Sequence, residues 1–394
     1  MTLTAAEIIA EAEKQVGFRD SETHLHRNLE VLVSSLDQDG RLSKTGRDSV
    51  RRSLVSRSAD RIDGLKWLSR HPEIAAEPIE APIFLTGLPR SGTTYLQYLF
   101  DRDRRFRLIR TWEAMMPSPP PATDPESVAQ RKAKEGEIRS RMRPEVPGFA
   151  ALHLHDEGGS EECHPLLEQA YAAAGFLNLY DVPTYFDVLM DEVDMDAAYR
   201  VHKRQLQLLQ WQSAPKRWAV KYPNHVIAMS AIERVYPDAR FVLTHRDPVQ
   251  VLGSICKMTL SLRSVRYEPP VDRERVGQQM ARFIRRHIDR IMAYCASPAG
   301  ERVVHLDYYR LLADPTPHIE HAHRELGLDT PDDVREAIGQ WRRDNPKNAR
   351  GTNEYALEQF GLQEGEMREL FSDYATCFDV PTESEGLARV GAAA

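Results

Sequence analysis

The first fifth of the pattern is helical. Leu25, Leu29, Leu32 and Leu36 recur at spacings that fall on one face of a helix. A second amphipathic stretch runs from Ser49 to Leu68, and no strand-like run precedes the Pro-containing stretch Glu77–Pro82. Residues 1–80 therefore read as a helical N-terminal extension. The texture then changes. Ile83-Phe84-Leu85-Thr86 is a short apolar run between Pro82 and Gly87, the look of a strand buried on both faces. A glycine-containing loop follows, then Tyr95–Phe100 in a helical pattern. The unit recurs as Arg240–Thr244 followed by Val249–Met258, and Trp218–Val220 and Arg302–Leu306 are two further candidate strands. Strands alternating with helices predict an α/β fold with a mostly parallel central sheet over residues 81–394. Within it, residues 114–215 or so are mainly helical and irregular. They are expected to form an insertion over the carboxyl edge of the sheet, where such folds bind ligands. A long helix is marked by Val276, Met280, Phe283 or Ile284, Ile288 and Ile291, with Arg282, Arg285, Arg286 and Arg290 expected on its solvated face.

Composition narrows this picture only at a few points. A chain of 394 residues has room for two or three compact units or one large α/β domain with insertions. With 41% hydrophobic and 28% charged residues it is no disordered chain. A net charge of −7 argues against a nucleic-acid partner. No segment approaches the roughly 20 apolar residues of a membrane span, and the start lacks the basic-then-apolar order of a secretion leader, so a cytoplasmic protein is expected. Cys163, Cys256, Cys295 and Cys377 lie far apart without a CxxC pair, as suits reduced thiols. Glu162-Cys163-His164 lacks partners at metal-ligand spacing.

The candidate chemistry starts at Gly87-Leu88-Pro89-Arg90-Ser91-Gly92-Thr93-Thr94. A loop of this kind between strand and helix presents backbone N–H groups at the positive end of a helix dipole, which suits phosphate or sulfate. It has the G-x4-G spacing of a nucleotide triphosphatase loop, but Thr93 stands where such an enzyme needs lysine, and the positive charge comes earlier, at Arg90. A P-loop kinase or NTPase is therefore the weaker alternative, and a non-catalytic nucleotide-binding protein a third. Further on, Arg246 ends a candidate strand and Ser254 follows eight residues later. A guanidinium and a hydroxyl so spaced can grip one phosphate from two sides.

With these two segments the chain resembles the sulfotransferases that use 3′-phosphoadenosine 5′-phosphosulfate (PAPS), in their bacterial, P-loop-like form. The resemblance implies that Arg90, Ser91, Gly92, Thr93 and Thr94 bind the 5′-phosphosulfate, and that Arg246 and Ser254 bind the 3′-phosphate. Trp218-Ala219-Val220-Lys221-Tyr222-Pro223 resembles the strand that carries a catalytic lysine, here Lys221. Leu306-Asp307-Tyr308-Tyr309 resembles the strand whose tyrosine lies near adenine, Tyr308 by its register seven residues before Pro315. Arg350-Gly351 resembles a basic-Gly loop that closes on the 3′-phosphate. The product would be 3′-phosphoadenosine 5′-phosphate (PAP). No metal is needed where side-chain cations neutralise the leaving group.

Such a transfer also needs a base. Glu113, in Thr111-Trp112-Glu113, resembles the placement of a catalytic glutamate in some members and is the expected base, with Lys221 and Arg90 completing the catalytic set. The rivals are Glu161, Glu162, His164 and His225, with His153 and His155 as edge or pocket-wall residues. Tyr171, Phe176, Leu177, Tyr180, Tyr185 and Phe186 could line a pocket for a hydrophobic alcohol, phenol or lipid-like acceptor. An ordinary helical core would explain the same residues.

Overall fold

The structure is a computed structural model and describes residues 3–38, 41–145, 159–268, 270–345 and 356–391. Its centre is a sheet of five parallel strands, β1 Ile83–Gly87, β2 Phe106–Arg107, β3 Arg217–Lys221, β4 Arg240–His245 and β5 Val303–Asp307, in the order β2-β3-β1-β4-β5. Every residue of β1 is buried. That burial explains its unbroken apolar run, since a parallel strand with helices on both faces has no solvent side to alternate with. The four longer strands fall within a residue or two of the expected runs. β2 was not foreseen; two residues carry no periodicity to read.

Strand order decides what can meet. β1 lies between β3 and β4, with Leu85 opposite Lys221 on one side and Gly87 opposite Thr244 on the other. The carboxyl ends of β3 and β4 therefore flank the loop that leaves β1.

The N-terminal segment is helical, as its period predicts. It comprises helices Ala5–Val16, His26–Gln38 and Lys44–Arg70; Leu29, Leu32 and Leu36 are buried on the second, and Leu25 in the 3-10 turn Thr23–Leu25 just before it. The helices dock through a buried ion cluster in which Arg61 pairs with Asp20 at 2.5 Å and with Glu22. Arg61 also lies under the Tyr171 ring, and Tyr171 hydrogen-bonds Ser58. Between β2 and β3 come helices Thr111–Met115, Pro125–Glu145, His164–Glu168, Phe176–Leu179, Pro183–Asp191 and Met195–Gln210. The long helix is Arg273–Cys295. On its arginine face Arg282 and Arg290 are exposed, as expected, and Arg285 and Arg286 are half-buried; Arg282 pairs with Asp187, Arg286 with Asp191, and Arg285 with Asp373. All four cysteines are free thiols. Among the described residues, no helix is long and apolar enough to cross a membrane.

Candidate active site

The loop after β1 is held by close backbone approach. Gly92, the N-cap of helix Thr93–Phe100, has φ +91°, a conformation that costs glycine little. A Cβ there would lie 2.6 Å from the Tyr308 ring. Arg90 also sits at positive φ, +72°. Ser91 is fully buried and hydrogen-bonds Thr244 of β4 at 2.7 Å, which pins the loop to the neighbouring strand. Thr93 is buried, and Thr94 faces β3 through the Lys221 ammonium, which donates to its Oγ1 at 3.2 Å.

On the β4 side, the chain turns at Arg246 and Asp247 into helix Pro248–Ser264, with Asp247 as N-cap accepting from the Val249 N–H at 3.0 Å. Arg246 donates to the Arg90 carbonyl at 3.0 Å, and its guanidinium carbon stands 4.4 Å from the Tyr308 ring centroid. Arg90 Nε reaches Ser254 Oγ at 3.0 Å. Six residues expected to act together, Arg90, Ser91, Gly92, Arg246, Ser254 and Tyr308, thus do converge. Arg350, like His153 and His155, lies outside the described residues. The geometry also brings in Glu383, which sequence reasoning missed. Its carboxylate accepts from Arg246 Nη2 at 2.7 Å and Nε at 3.0 Å, and from the Tyr309 hydroxyl at 2.8 Å. Burial opposes the Arg246 charge, but Tyr308 and Glu383 outweigh it and carry the pKa above the ordinary arginine value.

On the β3 side, a short extended segment threads between two partners. The Glu161 N–H donates to the Ile109 carbonyl and the Cys163 N–H to the Lys221 carbonyl, each at 2.8 Å. Glu162 therefore lies beside Lys221, and the two side chains form an ion pair. Lys221 is buried, its side chain only 1% exposed. Burial, with the neighbouring Glu162 charge behind it, pushes the Glu161 carboxyl up. The His164 ring stacks on Tyr222 at 5.5 Å and meets the edge of Phe176 at 6.2 Å.

Glu113, the expected base, lies in the first turn of helix Thr111–Met115. One oxygen accepts from the Arg110 N–H at 2.8 Å in a capping box, and the other from Arg107 Nη2 at 3.0 Å. Arg107 in turn covers the Trp218 ring. Glu113 thus fastens its own helix to the edge of the sheet, with both oxygens engaged. His225 is also structural. It is fully buried, bonded to the Tyr199 hydroxyl at 2.6 Å, and burial, with His202 and Lys221, holds its pKa well below the usual histidine value. The proposed pocket residues Tyr171, Phe176, Leu177, Tyr180, Tyr185 and Phe186 are packed in the main core. Phe176 alone of these is placed by the His164 contact next to the Lys221 side. Among the described residues, no group of three His, Cys, Asp or Glu could hold a metal ion.

A strand–loop–helix turn with a buried lysine on one side, and on the other Arg246 and Ser254 both joined to Arg90, has clear relatives. The sequence pattern of the sulfotransferase family matches residues 82–332, and the chain belongs to that family. No curated protein sequence matches significantly. Among solved structures, the fold is similar to the crystal structure of sulfotransferase STF9 from Mycobacterium avium, with a TM-score of 0.86, 25% identity, and 97% of this chain and 98% of that one covered. Sulfotransferase STF1 from Mycobacterium tuberculosis is similar too, with a TM-score of 0.82, 29% identity and coverage of 94% and 99%.

Proposed function

We propose that the protein transfers a sulfuryl group from PAPS to a hydroxyl or amine of a small, hydrophobic acceptor. The observation that carries this is the flanking of one anion loop by cations from two strands, Lys221 from β3 and Arg246 with Ser254 after β4. A donor with phosphate groups at both 5′ and 3′ positions suits two cationic sites better than one. Gly92 lets the loop pack directly against the Tyr308 ring, and Ser91 and Thr93 are buried in it. Arg90, Ser91, Gly92, Thr93 and Thr94 would hold the 5′ end, Arg246 and Ser254 the 3′-phosphate, and Tyr308 the adenine side. In this reading residues 81–394 are the catalytic unit, residues 1–80 a helical extension, and the protein works in the cytoplasm.

The donor supplies an activated S–O bond. The chain supplies positioning, charge neutralisation and a base. Lys221 neutralises the oxygen that leaves sulfur. Glu162 takes the acceptor proton as the acceptor oxygen bonds to sulfur and the bridging S–O bond breaks. Their ion pair places both groups side by side at the carboxyl end of β3. Phe176, Tyr222 and His164 offer an apolar wall beside that pair.

The test is calorimetry with PAP, AMP and ATP in metal-free buffer. PAP should bind about tenfold to 150-fold tighter than AMP, the worth of a charge-assisted pair. Arg246→Ala should abolish that preference. Equal affinity for PAP and AMP, or binding of ATP alone and only with Mg²⁺, would refute the donor assignment.

A further inference from the structure

We propose that Glu383 is a built-in competitor for the 3′-phosphate, holding Arg246 when the nucleotide is absent and reclaiming it as the product leaves. This rests on the assignment of Arg246 to the 3′-phosphate.

The contact is constructed rather than incidental. Glu383 opens helix Glu383–Gly391, and its carboxylate takes the Nε and Nη2 edge of the Arg246 guanidinium with both oxygens. Three further contacts fix it there. The Tyr309 hydroxyl donates to Glu383 Oε2, the Asp247 N–H donates to that same hydroxyl at 3.3 Å, and the Glu383 N–H donates to Asp247 Oδ2 at 2.9 Å. The helix is seated by Gly386, where a Cβ would lie 2.5 Å from the Tyr309 ring. The two residues after β4 thus hold both the side chain and the backbone of Glu383.

Occupancy by carboxylate and phosphate is exclusive on electrostatic grounds. The pair is largely out of water, with the Arg246 side chain 14% exposed and Glu383 23% exposed. Two unit charges about 4 Å apart repel by several times more near a protein surface than in bulk water. A phosphate dianion on the same guanidinium would face that repulsion from Glu383, and one edge of the guanidinium is already spent. Binding of a 3′-phosphate must therefore move Glu383 off Arg246. A nucleotide without that phosphate leaves the contact intact. Glu383 then lowers affinity only for nucleotides that carry the 3′-phosphate. For an enzyme whose product keeps that phosphate, such a residue hastens release.

Glu383→Gln keeps the shape and removes the charge. It should tighten PAP binding roughly tenfold and lower the product-inhibition constant of PAP in parallel, while AMP affinity does not follow. Tyr309→Phe, which removes only the hydroxyl holding Glu383, should shift PAP in the same direction by a smaller factor; it decides the matter if the first variant melts early. Unchanged or weaker PAP binding in both variants would overturn the inference and make Glu383 a residue that orients Arg246. If that happens while Arg246→Ala still abolishes the preference for PAP over AMP, the function stands and only the competitor fails. If Arg246→Ala keeps the preference, both fail.

Discussion

Two glutamates compete for the role of base, and their surroundings separate them. Glu113 gives both oxygens to its own helix start and to Arg107, whereas Glu162 is paired with the buried Lys221. Glu162→Gln should cut single-turnover transfer to an aliphatic alcohol by about 10²–10⁴-fold, the usual worth of a general base, with PAP affinity little changed. Glu113→Gln should lower thermal stability and leave most of the single-turnover rate. The reverse pattern would return the role to Glu113. The meeting of the loop after β1 with Arg246 and Ser254 was legible in the sequence because each segment is short and follows a readable strand. The choice among the candidate glutamates was not. Glu162 stood among them by sequence, but it reaches Lys221 only through the pairing of a short segment with the end of β3, and such tertiary pairing leaves no local period. Glu383 was hidden for the same reason, standing 137 positions from Arg246.

At the scale of elements, the loop between β1 and helix Thr93–Phe100 depends on Gly92. Alanine there adds a Cβ against the Tyr308 ring at a φ that L-residues rarely adopt. Gly92→Ala should weaken PAP binding by at least about tenfold and destabilise the fold by about 1–3 kcal/mol, readable by calorimetry and thermal melting. An unaltered affinity would mean that the Tyr308 ring gives way freely. The strands β1, β3, β4 and β5 could be read in advance because parallel burial writes itself as continuous apolar runs. The residues between β2 and β3 could be read only as helical. Their tyrosines and phenylalanines suited a pocket and a core equally, and the structure spends them on the core. Periodicity reports which face is apolar and is silent on what covers it.

Across the whole molecule, stability carries a pH signature from the seam between the N-terminal helices and the segment before β3. There Arg57 bridges Asp60 and Glu168. Burial, only partly offset by Arg57 and Lys134, pushes the Asp60 carboxyl up from 3.8 to about 6. Between those two values the folded chain therefore holds a proton that the unfolded chain has released. The stability this group contributes falls as pH rises between those two values, and the cost is complete above the upper one. Asp60→Asn removes the cost. It should stabilise the protein by about 1–3 kcal/mol at pH 7.5, with the gain shrinking towards pH 4 in thermal melts; a gain independent of pH would refute the shift. The topology of the sheet has a further consequence, for synthesis. Contacts of the first strand and its loop span 136 positions to Tyr222 and 153 to Thr244. At about 5–20 residues per second, a ribosome presents an apolar, fully burial-prone strand on the order of ten seconds before either neighbour exists. A nascent-chain chaperone should thus raise the soluble yield of this protein more than it would for one whose strands pair with the next in line.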